Sequence, residues 1–369
     1  MRVLHLSNDY HNSTLYRSMH EKLLSHGLDS LMVVPTVYNS DNWAKEKNVR
    51  QIKCFGNYDR FFYYSKQKKI TRSVEELMHQ YKPQMIHSHF VFSGGYTCLK
   101  VKEELGIPYV VTVRNTDLNL FFRWMCHLRG TGIEILRRAD KIVFISKTYL
   151  DKLLENYIPA PDREMIIDKS VILPNGIDDF WFENMPKTAY SIENGKIKLL
   201  TVGAINKNKN QIIVNSVANY LRKKGYEVEY TIVGKIEDRS LFRKIMNDGL
   251  ANYVEPKPKE TLIEYYRSSD IFVMPSIHET FGLVYAEAIS QGLPVIYTKG
   301  QGFDKQFPDG TVGYSVKHSD VNEISLKVLS IIENYSMISN ECLSRSVKFR
   351  WDTISENYMQ IYREIVHGY

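Results

Sequence analysis

The sequence predicts an α/β protein built as two doubly wound domains, each a parallel sheet under helices. Three observations predict it. The 369 residues are too many for one typical core and suit two domains. Short, near-continuous apolar runs recur along the chain, and such runs belong to strands buried on both faces. Helix-period stretches separate them, two of which stop at Gly27 and Gly225, where a glycine just past the last turn ends a helix. Strand and helix alternating through both halves is the pattern of a doubly wound fold.

The predicted strands run in order. The first half has RVLHLS (2–7), SLMVVP (30–35), MIHSHF (85–90), YVVTVR (109–114) and KIVFIS (141–146). The second half has IKLLTVG (197–203), EYTIVG (229–234), IFVMPS (271–276) and PVIYTK (294–299). Helical patterns at 13–26 and 210–224 fall between strands. Periodicity is lost near 178–195, where Pro, Asn and Gly collect before a new strand. The expected domains are 1–180, 181–348 and a C-terminal helix over 349–369. That helix carries Trp351, Ile354, Tyr358, Ile361 and Tyr362 at helical spacing. Two such domains leave a cleft, and ligands of open α/β sheets sit at the carboxyl ends of the strands.

Composition excludes several classes. No run of about 18 apolar residues occurs, so no membrane span is expected. The start, MRVLHLSNDY, turns polar too soon for a signal peptide and reads as a strand. Four scattered cysteines without CxxC spacing fit reduced thiols and a cytoplasmic protein. Residues 1–150 hold 22 Lys+Arg against 13 Asp+Glu, while the remainder holds 26 against 29. A basic front half suits an anionic partner or surface, with no motif behind nucleic acid. The stretch YDRFFYYSKQKKITR (58–72) joins aromatics to a cationic cluster. It suits an anionic membrane, where each basic side chain adds about 1 kcal/mol, or a basic helix with its aromatics in the core.

The chemistry concentrates in SIHETFGLVYAEAISQGLPV (276–295), where seven residues separate Glu279 from Glu287. Glu279 falls on the loop after a strand. Gly282 stands at the mouth of the next helix and Glu287 lies about one and a half turns inside it. Free N–H groups and the positive dipole end suit an anion at that mouth, and glycine lets a phosphate approach the backbone. Carboxylates accept from hydroxyl pairs. The order fits a nucleotide sugar, with sugar at Glu279, diphosphate at 280–282 and ribose at Glu287. From spacing alone, a charge–dipole pair and a solvated surface glutamate stand beside it. An acid/base pair is the weaker reading, since it needs two carboxyls facing one sugar.

This segment closely resembles the signature of glycosyltransferase family 4, retaining enzymes of the GT-B fold. LPNGID (173–178), VGAINKNKNQ (202–211), TIVG (231–234), LIEYYRSSDIFVMPS (262–276) and FRWDTISENYMQIY (349–362) are similar to further family segments. So are IHSHF (86–90), GIPYVVTVRNTDLN (106–119) and ADKIVFIS (139–146). The resemblance implies two Rossmann-like domains facing a central cleft, the last helix crossing back to the first. It implies Glu279 on the transferred sugar, the backbone of Thr280, Phe281 and Gly282 with Leu283 on sugar and diphosphate, Glu287 on ribose, and Lys209 with Gly203 at the diphosphate. Asn12, Ser13 and His89 fall on the acceptor side. Transfer with retention needs no dedicated carboxylate base, and without an Asp-x-Asp motif no metal or other cofactor is expected.

Three positions depart from the family pattern. Ala204 stands where an Arg is usual, which leaves Lys207 or Lys235 to replace the diphosphate cation. The first loop, SNDYHNSTLYRS (7–18), lacks glycine. Arg114 follows the Thr-Val strand where a His is frequent; it cannot act as a base but can bind an anionic sugar or phosphate. Asp117 either orients Arg114, contacts the sugar or forms a loop pair with it. The expected activity is that of a hexosyl-type glycosyltransferase in cell-surface polysaccharide or glycoconjugate synthesis. Its donor is a UDP-sugar and its acceptor a glycan or lipid-linked saccharide, at the inner face of the cell membrane. A GT-B nucleotide-sugar epimerase and a non-catalytic sugar-nucleotide-binding partner of another transferase are the alternatives.

Overall fold

A computed structural model describes residues 1–11, 13–38, 46–188, 192, 195–247 and 249–368. The chain forms two compact units, Met1–Gly176 with Trp351–Tyr369, and Ile177–Arg350. The sequence boundaries at 180 and 348 fall a few residues from these breaks.

The first unit holds strands β1 (Arg2–Leu6), β2 (Asp29–Thr36), β3 (Val49–Lys53), β4 (Met85–Ser88), β5 (Tyr109–Val113), β6 (Lys141–Phe144) and β7 (Ser170–Ile172). They pair in the order β3-β2-β1-β4-β5-β6-β7, all parallel. The order reverses between β1 and β4, which makes their carboxyl ends the switch point of the sheet. Helices α1 (Thr14–Ser25), α2 (Tyr63–Tyr81), α3 (Gly95–Leu105), α4 (Arg129–Arg138), α5 (Lys147–Asn156) and α6 (Ala160–Asp168) connect the strands. Ser13 caps α1, its hydroxyl accepting from the Leu15 N–H at 3.3 Å.

The second unit begins with the short helix α7 (Phe180–Glu183). It holds strands β8 (Lys196–Val202), β9 (Glu227–Val233), β10 (Ala251–Val254), β11 (Ile271–Val273), β12 (Val295–Thr298) and β13 (Gly313–Val316). These pair in parallel as β10-β9-β8-β11-β12-β13. Its other helices are α8 (Gln211–Lys223), α9 (Arg239–Met246), α10 (Lys259–Arg267), α11 (Leu283–Ser290), α12 (Val321–Glu333) and α13 (Tyr335–Ser346).

The last helix, α14 (Trp351–His367), belongs to the first unit. Its Trp351, Ile354, Tyr358, Ile361 and Tyr362 join a core with Met19 and Leu23 of α1 and Val3 of β1. Gly176 is required at the junction, because a Cβ there would lie 2.4 Å from the Trp351 ring. The four strands absent from the sequence reading, β3, β7, β10 and β13, are short. Three of them carry mixed burial, which hides the continuous apolar run of a central strand.

Candidate functional site

In the second unit the site forms where loops 203–210 and 274–282 leave the carboxyl ends of β8 and β11, which are neighbours. Asn208 fastens the loops together. Its amide donates to the His278 carbonyl and its oxygen accepts from the His278 N–H, both at 2.9 Å. Asn210, in the left-handed region at φ 58°, opens α8 and donates to the carbonyls of Pro275 and His318. Lys209 is held by its backbone N–H on Asn206 Oδ1 at 2.9 Å. Its Nζ lies 2.6 Å from Glu279 Oε2, and the two side chains are largely buried. Ser276 Oγ also reaches that oxygen, and Gln301 Oε1 accepts the Glu279 N–H. A cation and a carboxylate, 70 residues apart in sequence, thus meet at one sheet edge.

Gly282 opens α11 at φ +76°. A Cβ there would fall 2.3 Å from the Tyr285 ring, and the Tyr285 hydroxyl donates to the Met274 carbonyl at 2.5 Å. Tyr285 therefore props the turn from below, and only glycine fits above it. Phe281 is buried against Phe303 and Phe349, so its side chain packs while its backbone lines the turn. Thr280 is exposed and Leu283 is the first residue of the helix. Glu287 is half-buried on α11, one carboxyl oxygen accepting from Tyr266 Oη at 2.9 Å. Burial pushes its carboxyl up to about 7. A fully solvated surface glutamate does not fit that setting.

Gly203 follows β8 at φ +154°, with the Lys209 side chain 3.7 Å from where a Cβ would stand. The Ala204 carbonyl accepts from Gln211. Lys207 and Lys235 are exposed, and Ile205 N–H donates to the Lys235 carbonyl at 2.8 Å, tying the two loops that carry them.

The first unit revises several expectations. Asp117 is 1% exposed and accepts from the backbone N–H groups of Phe92 and Arg114, at 3.1 and 2.9 Å. It orients the Arg114 backbone and forms no ion pair with the guanidinium, whose charge it feels at longer range. Burial raises its carboxyl to about 6. His89 is fully buried, its Nε2 3.1 Å from His5 Nδ1, stacked on His5 and tilted against His87. It belongs to the core and not to an acceptor surface. Its strand ends at Ser88, and the apolar run that hides this continues into a buried edge loop. Ser13 is committed as a helix cap, and Asn12 lies outside the described residues. Among the described residues, His5, His87 and His89 form a group close enough to share a metal. Both nitrogens of His87 are already engaged, by Tyr362 and Thr112.

Arg114 follows β5, buried, with Nη1 2.6 Å from Asn175 Oδ1 and its guanidinium over the Tyr16 ring. Asn175 and Tyr16 were not singled out by sequence; they are 61 and 98 residues from Arg114, and only the fold unites them. A cavity of about 410 Å3 opens at the carboxyl ends of β1 and β2, lined by Asn8, His11, Thr36, Phe55 and Lys66 among others. No helix of the described residues is long and apolar enough to cross a membrane.

Residues 186–345 match the family model described as Glycosyl transferases group 1, and residues 17–179 match Glycosyltransferase Family 4. A D-inositol 3-phosphate glycosyltransferase of Paenarthrobacter aurescens is 27% identical over 305 residues, 77% of this chain and 73% of that protein. Among solved structures, sucrose-phosphate synthase of Thermosynechococcus elongatus superposes with TM-score 0.73 at 17% identity, covering all of both chains. Anabaena HepE in complex with UDP and glucose gives TM-score 0.67 at 14% identity, over 99% of this chain and 100% of that one. At those identities the likeness is one of fold.

Proposed function

The chain belongs to glycosyltransferase family 4, with the GT-B fold, and from that premise we propose that it moves a hexose from a UDP-sugar to a glycan or lipid-linked acceptor with retention. The observation that carries the reading is the meeting of Lys209 and Glu279 beside the Gly282 turn, with Glu287 farther along the same helix. Lys209 and the mouth of α11 stabilise the charge that builds on the diphosphate as the sugar–phosphate bond breaks. Glu279 accepts hydrogen bonds from hydroxyls of the transferred sugar. Glu287 accepts from the ribose. Lys207 and Lys235, on neighbouring loops, supply the cationic charge that Ala204 lacks. The acceptor hydroxyl bonds to the anomeric carbon, and its proton passes to the departing phosphate oxygen, so no carboxylate base is required and no metal is invoked.

A UDP ligand is supported by the complex of HepE, which holds UDP and glucose. A phosphorylated or lipid-linked acceptor agrees with the name of the inositol phosphate enzyme and with exposed aromatics beside basic residues on the first unit. That surface fits work at the inner face of an anionic membrane, in cell-surface glycan synthesis. A thermal-shift screen of UDP-, GDP- and ADP-sugars tests the donor. The expected result is stabilisation by UDP and by one UDP-sugar, and NMR of the product should show the anomeric configuration kept. Stabilisation by GDP- or ADP-sugars alone, or an inverted product, overturns the corresponding part.

A further inference from the structure

We infer that Arg114 is a receptor for a negatively charged group, a carboxylate or phosphate, on one of the two sugar substrates. The inference rests on the glycosyltransferase reading, because it takes the bound molecules to be sugars.

Arg114 is 5% exposed, at the carboxyl end of β5 and next to the switch point of the first sheet. A guanidinium never gives up its proton there, so its charge is buried with it. A buried charge without a counter-ion is costly, and folds supply one unless a ligand does. Among the described residues no carboxylate lies within ion-pair distance of it. Asp117, three residues on, attracts it at longer range, but its oxygens accept from the backbone N–H groups of Phe92 and Arg114 itself and leave the guanidinium N–H groups unbridged by a carboxylate. The guanidinium meets a neutral acceptor, Asn175 Oδ1, and an aromatic face, Tyr16 at 5.3 Å. Its Nε–H is buried with no partner. His87 and His89, which feel its charge, are themselves held neutral by burial.

Each contact fixes the plane of the guanidinium without forming an ion pair with it. Asn175 holds one edge, Tyr16 supports the face, and the Asp117 bond to the backbone sets where the side chain starts. A planar fork held in this way matches the oxygens of a carboxylate or phosphate. The chemistry is the same whether the group is a uronate on the donor sugar or a phosphate on the acceptor.

Calorimetric titration of the full-length protein separates the sources. The donor arm compares UDP-glucuronate with UDP-glucose, and the acceptor arm compares glucose 6-phosphate with glucose. In one arm the anionic probe should bind about tenfold or more tightly than its neutral partner. Arg114→Gln should erase that ratio, and Arg114→Lys should retain part of it. Equal affinity for charged and neutral probes in both arms overturns the inference. The wild-type ratios need no variant, so they decide the matter even if Arg114→Gln fails to fold. Catalysis with a neutral donor and a neutral acceptor, at rates that charged probes do not exceed, would leave the glycosyltransferase reading standing and remove this one.

Discussion

Glu279 and Glu287 share a helix mouth but sit in different surroundings, and the difference predicts different losses. Glu279 is ion-paired to Lys209 at 2.6 Å. Removing it releases Lys209 toward a diphosphate, so Glu279→Ala should abolish transfer while leaving UDP affinity the same or tighter. Glu287 is partly buried and takes the Tyr266 hydroxyl. Glu287→Ala removes the ribose acceptor and leaves Tyr266 unpaired, so UDP affinity should fall roughly tenfold or more. Titration calorimetry with UDP and an assay of transfer separate the two, and the reverse pattern refutes the assignment. The spacing of these glutamates, and Gly282 between them, was legible because all three lie on one loop and one helix. The pairing of Glu279 with Lys209 and the seat of Arg114 on Asn175 were not, because strands far apart in sequence bring them together.

At the scale of elements, central strands and long helices were readable, while strand ends were not. The runs at 85–90 and 271–276 outlast their strands because the edge loops that follow are themselves buried. The basic aromatic stretch divides into an inward face and an exposed one. Gln67, Ile70, Val74 and Met78 turn α2 inward, and Tyr63 packs on Phe92. Tyr58 and Phe61 are 84% and 83% exposed, and Phe62 is exposed beside them. Lys69 is paired with Asp59 at 2.8 Å and Arg72 with Glu76 at 3.5 Å, which leaves Lys68 among the exposed cations of the helix. Aromatic side chains over a cationic helix suit an anionic bilayer surface. Co-sedimentation with phosphatidylglycerol vesicles should be strong and salt-sensitive, and weak with phosphatidylcholine. Phe61→Ser with Phe62→Ser should reduce it, as should Lys68→Glu, at roughly fivefold for each basic charge lost. If neither variant changes binding, the surface does not dock on membranes.

Across the whole molecule, the two units carry opposite buried titrations, which predicts that acid separates their stabilities. The first unit buries His5, His20, His87 and His89, all held below the ordinary imidazole value chiefly by burial, His20 at about 4 and His87 at about 3. A histidine depressed in the fold binds its proton only on unfolding. Its stability contribution is whole above the unfolded value of about 6.5 and is lost at about 1.4 kcal/mol per pH unit below it. Asp117, raised to about 6, acts in the other direction, since it is protonated in the fold first. His11 and Glu75 are shifted down and up and offset each other in sign. Asp352, held down by Lys22, acts only below about pH 4. Four histidines against one carboxyl leave the first unit losing roughly 4 kcal/mol per unit of pH once titration is under way. The second unit holds Glu287 at about 7, so it gains as pH falls through that value toward 4.5. Scanning calorimetry at pH 7.5 and 5.5 should show the transition of the first unit move down by several degrees while that of the second holds or rises. His89→Gln should shrink the shift, because a side chain that cannot titrate removes its share of the proton uptake. Equal displacement of both transitions would mean that the histidine cluster is not neutral in the fold, and the acid response would then need another source.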